Sequence, residues 1–170
     1  MSSSPSLNLD NVSYDSNMFI KHNGKKLIMR TPPMRMPFGY EDYYGKIMFK
    51  LEFSNIDNDP IMKSFYENIL RLEQKNMEFF GVTENEYKSC IFKNEHSEFP
   101  PLLIVKVEKR RNKPVCTIVD NGEYTAKTVF EFKKGDKVIA DVVFERLWKY
   151  DKSKGKSCGI LVKVSKILCV

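Results

Sequence analysis

The 170-residue sequence predicts a mainly β protein, a small antiparallel β-barrel with one inserted helix. Three observations carry that prediction. Residues 136 to 170 hold two long runs of β-branched and aromatic residues around a short Lys/Ser/Gly turn, which is how a hairpin of two long strands is written. From Leu102 onward, turn signals recur at close intervals between alternating segments, as in a barrel or sandwich. Only one segment has helical periodicity, and it is inserted once among strands, so a βαβ architecture is excluded.

Residues 1–17 are rich in Ser, Asn and Asp and lack sustained periodicity, so they are expected to be a flexible N-terminal segment. Residues 18–170 are expected to form one domain, long enough to bury a core without staples. Met18 to Lys21 and Lys26 to Met29 surround His22-Asn-Gly24, and Asn-Gly is a tight-turn signal because both residues tolerate positive φ. Between Arg30 and Gly39, three prolines remove backbone donors and predict an extended strap, with Arg30 and Arg35 available to phosphates. Tyr43 to Ser54 reads as a strand in which Ile47, Phe49, Leu51 and Phe53 alternate with Met48, Lys50 and Glu52. Lys46 and Lys50 would face either a ligand or water.

Asp59 is a helix cap and Pro60 suits the first turn, where its missing donor costs nothing. The apolar face of Ile61, Phe65, Ile69 and Leu72, joined by Met62, Tyr66 and Leu70, carries the helix over about 60–80, and Gly81 ends it. Residues 82–101 read as irregular, with a short strand around Tyr87 to Phe92. Strands are then expected at Leu102 to Glu108, Val115 to Val119 and Tyr124 to Phe132, separated by the basic turn 109–113 and by Asp120-Asn-Gly122. Lys133-Lys-Gly-Asp136 leads into the long hairpin. The best fit is an OB-fold, a five-stranded antiparallel barrel with the helix inserted and additional N-terminal strands.

In the hairpin, Val138, Ala140, Val142 and Phe144 fall on one face and Asp141, Glu145 and Lys149 on the other. Arg146, Trp148 and Tyr150 follow, among Lys149, Lys152, Lys154 and Lys156. Flat rings beside flexible cations suit unpaired nucleotides, because every base offers a face and every phosphate a charge. Lys109, Arg110, Arg111 and Lys113 in the basic turn would add phosphate contacts, and Tyr124 and Phe130 further stacking rings. The plain alternative is that Trp148, the one tryptophan, fills the core while the lysines solvate a turn.

Composition narrows the function classes. A formal charge of +6 permits an acidic partner such as nucleic acid without demanding one. Cys90, Cys116, Cys158 and Cys169 lie far apart in apolar runs and read as reduced thiols; neither a metal nor a cofactor is expected. His22 and His96 are isolated, no Gly-rich phosphate loop or nucleophile elbow occurs, and no enzyme is expected. With no secretory signal and no run of about 18 apolar residues, a reducing intracellular location without membrane contact is expected.

The order of parts then becomes informative. Pro37-Phe-Gly39, the strand to Phe53, Asp57-Asn-Asp-Pro60 and the helix, followed late by Gly135 to Phe144, Trp148-Lys-Tyr150 and a closing Val/Leu strand, resemble the single-stranded DNA-binding proteins of T7-type bacteriophages and their counterparts in large eukaryotic DNA viruses. The resemblance covers roughly residues 30–170. It implies an OB barrel that coats exposed strands during replication, recombination and repair, with replication proteins and self-association as further partners. For a viral chain it implies the host cytoplasm, in a viral factory, or the nucleus. By position it carries DNA contacts onto Trp148, Lys149 and Tyr150. Phage members end in an acidic tail closing on an aromatic residue; this sequence ends at Lys166-Ile-Leu-Cys-Val170, so tail-mediated recruitment and tail-swapped dimerisation are not carried over. Two other readings stand beside it. In one, a protein-interaction barrel meets an acidic surface through its basic turns and docks through the strap 31–39. In the other, the chain is an RNA-binding or transcription-associated factor, since nothing in the residues separates RNA from DNA.

Overall fold

The computed structural model describes residues 7–152 and 155–170, without the side chains of 151, 152, 155 and 156. A 3₁₀ turn at Leu9–Asn11 leads into β1 (Val12–Tyr14) and the ribbon of β2 (Ile20–His22) and β3 (Lys25–Arg30). β4 (Met34–Arg35), β5 (Tyr40–Tyr43) and β6 (Lys46–Glu52) precede helix α1 (Pro60–Phe80). β7 (Tyr87–Lys88), β8 (Ile91–Phe92) and β9 (Leu102–Lys106) follow. Next come a small hairpin of β10 (Lys109–Arg110) and β11 (Lys113–Pro114), then β12 (Thr117–Asp120) and β13 (Glu123–Tyr124). The long hairpin of β14 (Lys137–Lys152) and β15 (Gly155–Cys169) completes the chain.

The barrel closes through five strands. β14 pairs with β4, β4 with β6, β6 with β9, β9 with β15, and β15 returns to β14. This is the five-membered barrel expected, with one departure: β15 lies parallel to β9, β7 and β12. A parallel neighbour needs a long connection, and the intervening chain supplies one in each case. The interior is filled by Phe49 and Leu51 of β6, Leu103 and Val105 of β9, Val142 and Phe144 of β14, and Val162 and Val164 of β15. Phe53 continues that core towards Phe65 of α1, ring to ring at 5.9 Å.

The helix starts and stops where its caps dictate. Asp59 Oδ1 accepts hydrogen bonds from the Ile61 and Met62 amides, and Gly81 takes a left-handed conformation (φ 67°) that turns the chain out. Met62, Phe65, Ile69 and Leu72 face inward, whereas Leu70, expected on that face, is exposed. The strap is held across its prolines by Thr31, which is buried. Its amide donates to Ala140 O at 2.8 Å, and its Oγ1 accepts from the Ala140 amide at 2.9 Å. The hydroxyl thus takes the place of a backbone carbonyl as acceptor for the Ala140 amide.

Two expectations are corrected. Residues 9–14 of the N-terminal segment are regular structure, held to α1 by Tyr14 Oη donating to Asn76 Oδ1 and by Lys75 Nζ donating to Leu9 O. Leu7, Leu9, Val12 and Tyr14 supply apolar contacts that the polar composition obscured. Tyr124 to Phe132 is not a strand: β13 ends at Tyr124, and Val129–Glu131 is a 3₁₀ turn. Glu131 Oε2 accepts from the Thr128 amide, and Val129 and Phe132, three apart, are the buried pair. A period of three therefore displaces the period of two.

Candidate nucleic-acid interface

Register irregularities in the β14–β15 pairing at 141/142 and 144/146 decide what the hairpin presents. Val138, Ala140, Val142 and Phe144 are buried, and so is Leu147, an odd position, because the second bulge shifts the inward phase by one residue. Unbroken alternation from Phe144 would drive Arg146, Trp148 and Tyr150 into the interior. The bulge turns all three outward instead. It also moves Lys149, expected on the outer face with Asp141 and Glu145, to the side of Leu147 and Cys158, where it lines a small pocket with Phe80, Val82 and Glu86 at the end of α1.

Trp148 is half-buried and seated on Gly159, its register partner on β15. The approach is so close that a Cβ at Gly159 would stand 2.6 Å from Trp148 Cζ2. The indole therefore lies across the neighbouring strand, and Tyr150, 50% exposed, follows it on the same face. On the other side of the row, the Arg146 guanidinium lies 5.7 Å from the Phe19 ring centre and Lys21 Nζ lies 5.9 Å from it. The sequence reading placed Phe19 and Lys21 merely in a hairpin. Their alternation about buried Ile20 was the available signal.

The outward surface continues across hydrogen-bonded strands from β14 through β15 and β9 to β6. Arg146 opposes Leu161, Lys163 pairs with Lys106, and Lys106 opposes Met48. Lys50 projects from the same face of β6, 5.2 Å from the Phe38 ring centre and ion-paired to Glu41 at 3.2 Å. Phe92 opposes Leu102 at the far edge and is exposed. Lys106 is exposed and in no ion pair among the described residues, whereas Lys163 is bound by Glu145 at 2.9 Å. In this barrel the face of the second and third strands, here β6 and β9, is where OB folds take oligonucleotides.

The remaining expected residues are dispersed. Arg30 grips Asp141 with both oxygens, Nε to Oδ1 at 2.8 Å and Nη2 to Oδ2 at 3.1 Å, a pairing that raises its pKa. Arg35 pairs with Glu52 at 3.2 Å. Both guanidinium groups are thus paired to a carboxylate while more than half of each side chain stays exposed. Tyr124 is exposed on β13 with Lys166 Nζ 5.9 Å from its ring centre, and Phe130 meets Tyr40 edge-on at 5.2 Å; neither adjoins Trp148. Lys109, Arg110, Arg111 and Lys113 form the β10–β11 hairpin, in no ion pair among the described residues. Lys154 and the side chains of Lys152 and Lys156 lie outside the described residues. All four cysteines are free thiols, and burial pushes Cys116 up to about 12.

No protein-family model and no curated protein matches the sequence. Solved structures do. The chain is similar to the single-stranded DNA-binding protein from bacteriophage Enc34 in complex with ssDNA, with a TM-score of 0.55 at 13% identity over 94% of this chain and 93% of that one. It is also similar to gp2.5, a single-stranded DNA-binding protein encoded by bacteriophage T7, with a TM-score of 0.52 at 15% identity over 85% and 86% of the two chains. At such identities the likeness establishes the fold, and it extends over 94% of this chain in the first case and 85% in the second.

Proposed function

We propose that this protein binds single-stranded DNA without sequence preference and coats exposed strands during replication, recombination and repair, performing no catalysis itself. The observation that carries the reading is the shared outward face of Trp148, Tyr150 and Arg146, continuous with Lys106 and Lys50, on a barrel similar in fold to one solved with ssDNA. On this reading, bases stack on Trp148 and Tyr150, at about 1–3 kcal/mol per base, and the cations follow the backbone. The bulge is what makes the rings available. Arg30 and Arg35 serve the fold through their carboxylates, and Lys149 is a flanking charge.

The test is a titration of Trp148 fluorescence with oligo-dT at several salt concentrations. The expected result is quenching, with log affinity falling by about 0.7 per tenfold salt for each phosphate neutralised. Unchanged emission together with salt-insensitive affinity overturns the proposal. Competition with oligo-U in the same assay measures the preference for DNA over RNA.

A further inference from the structure

Among the described residues, four hairpin turns use two consecutive left-handed residues. Asn23-Gly24 (φ 52° and 77°) and Asn121-Gly122 (52° and 78°) are built from the residues that tolerate this conformation best. The other two are not. Tyr44-Gly45 (51° and 82°) joins β5 to β6, and Arg111-Asn112 (52° and 61°) joins β10 to β11. A tyrosine and an arginine in the left-handed region are strained, and strain kept at a surface turn marks a side chain with work to do there.

These two turns are neighbours. Lys109 Nζ lies 3.8 Å from where a Cβ of Gly45 would stand, and the Val107 amide bonds Ile47 O at the base of the β5–β6 hairpin. Tyr44 is 91% exposed and Tyr43 64%, their rings meeting edge-on at 4.7 Å. Lys46, opposite Tyr43, and Lys109, beside Gly45, flank them, with Arg110 and Arg111 next in the neighbouring hairpin, and none of the four is in an ion pair among the described residues. Two open rings among uncompensated cations complement a base attached to a phosphate.

We propose that the Tyr43-Tyr44 turn and the β10–β11 hairpin form a second nucleotide-binding station for single-stranded DNA, separate from Trp148 and Tyr150. It rests on the DNA-binding reading above. A strand bound at the hairpin arm continues over the outer face of β9 and β6, past Lys106 and Lys50, to reach it. The station therefore contributes only to oligonucleotides long enough to span both places, and its rings act by stacking, so their hydroxyls are dispensable.

The experiment compares wild type, Tyr43→Ala/Tyr44→Ala and Tyr43→Phe/Tyr44→Phe against oligo-dT of increasing length, with Trp148 quenching and a polyglutamate competitor as separate readouts. Expected is about tenfold weaker binding of long oligo-dT by the alanine variant, unchanged binding of the shortest oligonucleotides that quench Trp148, and full recovery in the phenylalanine variant. Equal affinity of wild type and alanine variant at every length overturns the second station while leaving the DNA-binding reading intact. Absence of quenching by any oligo-dT in wild type instead overturns that underlying reading. Wild-type polyglutamate binding that the alanine variant loses, without any loss for oligo-dT, assigns the turn to an acidic protein and overturns the proposal.

Discussion

One missing methyl group seats the tryptophan. Added at Gly159, it would lie 2.6 Å from Trp148 Cζ2 and 2.8 Å from Cε2, inside the distance at which carbon atoms pack. Gly159→Ala is therefore expected to lift the indole from β15, at a cost of about 1–3 kcal/mol of stability. Its readouts are a shifted Trp148 emission spectrum and weaker oligo-dT binding. Tyr44 makes the opposite case. Tyr44→Asn places a residue suited to the left-handed region in the same turn, so the urea midpoint is expected to rise by about 1 kcal/mol equivalent while affinity for long oligo-dT falls. A variant that gains stability with unchanged DNA affinity would mean that Tyr44 has no part in binding. The ring and the lysine at 148 and 149 were legible in sequence as chemistry. Which side each took was not, because a bulge leaves no composition signal.

Among the elements, the helix was the most legible: Asp59, Pro60 and Gly81 fix its ends locally, and the structure places them as the sequence does. The strands of the barrel were legible through alternation, but β13 and the following turn were misread because Val129 and Phe132 satisfy either period in isolation. The polar inner face of α1 was not anticipated. Glu73 is buried there, accepting from Ser89 Oγ and from the Cys90 amide at 3.0 Å, and burial raises its pKa above the ordinary 4.5. A carboxyl held higher in the folded than in the unfolded chain binds more protons when folded. Stability contributed by this group is present in acid and declines as pH climbs from about 4.5 through the raised value. Urea midpoints measured from about pH 4.5 to 7 should therefore drop more in wild type than in Glu73→Gln, and parallel profiles would show that Glu73 does not titrate differently on folding.

At the scale of the whole molecule, the charge of +6 is spread unevenly in what it leaves open. Arg30, Arg35, Lys50 and Lys163 are neutralised by carboxylates, whereas Lys46, Lys106, Lys109, Arg110, Arg111 and Lys113 are in no ion pair among the described residues. Net charge alone could not distinguish the two groups, since ion pairing across strands depends on register. The salt slope of DNA binding should accordingly reflect the second group and be insensitive to substitution of Arg30 or Arg35. The architecture also has a consequence for biogenesis. β15 contacts β14, β12, β9 and β7, so the segment that seals the barrel is synthesised after all of its partners. While residues 155–169 are still inside the ribosome, those four strands emerge with an open seam between them. Productive folding then waits for residues 155–169, and the interval before they emerge is when exposed edges are most vulnerable to joining the wrong neighbour.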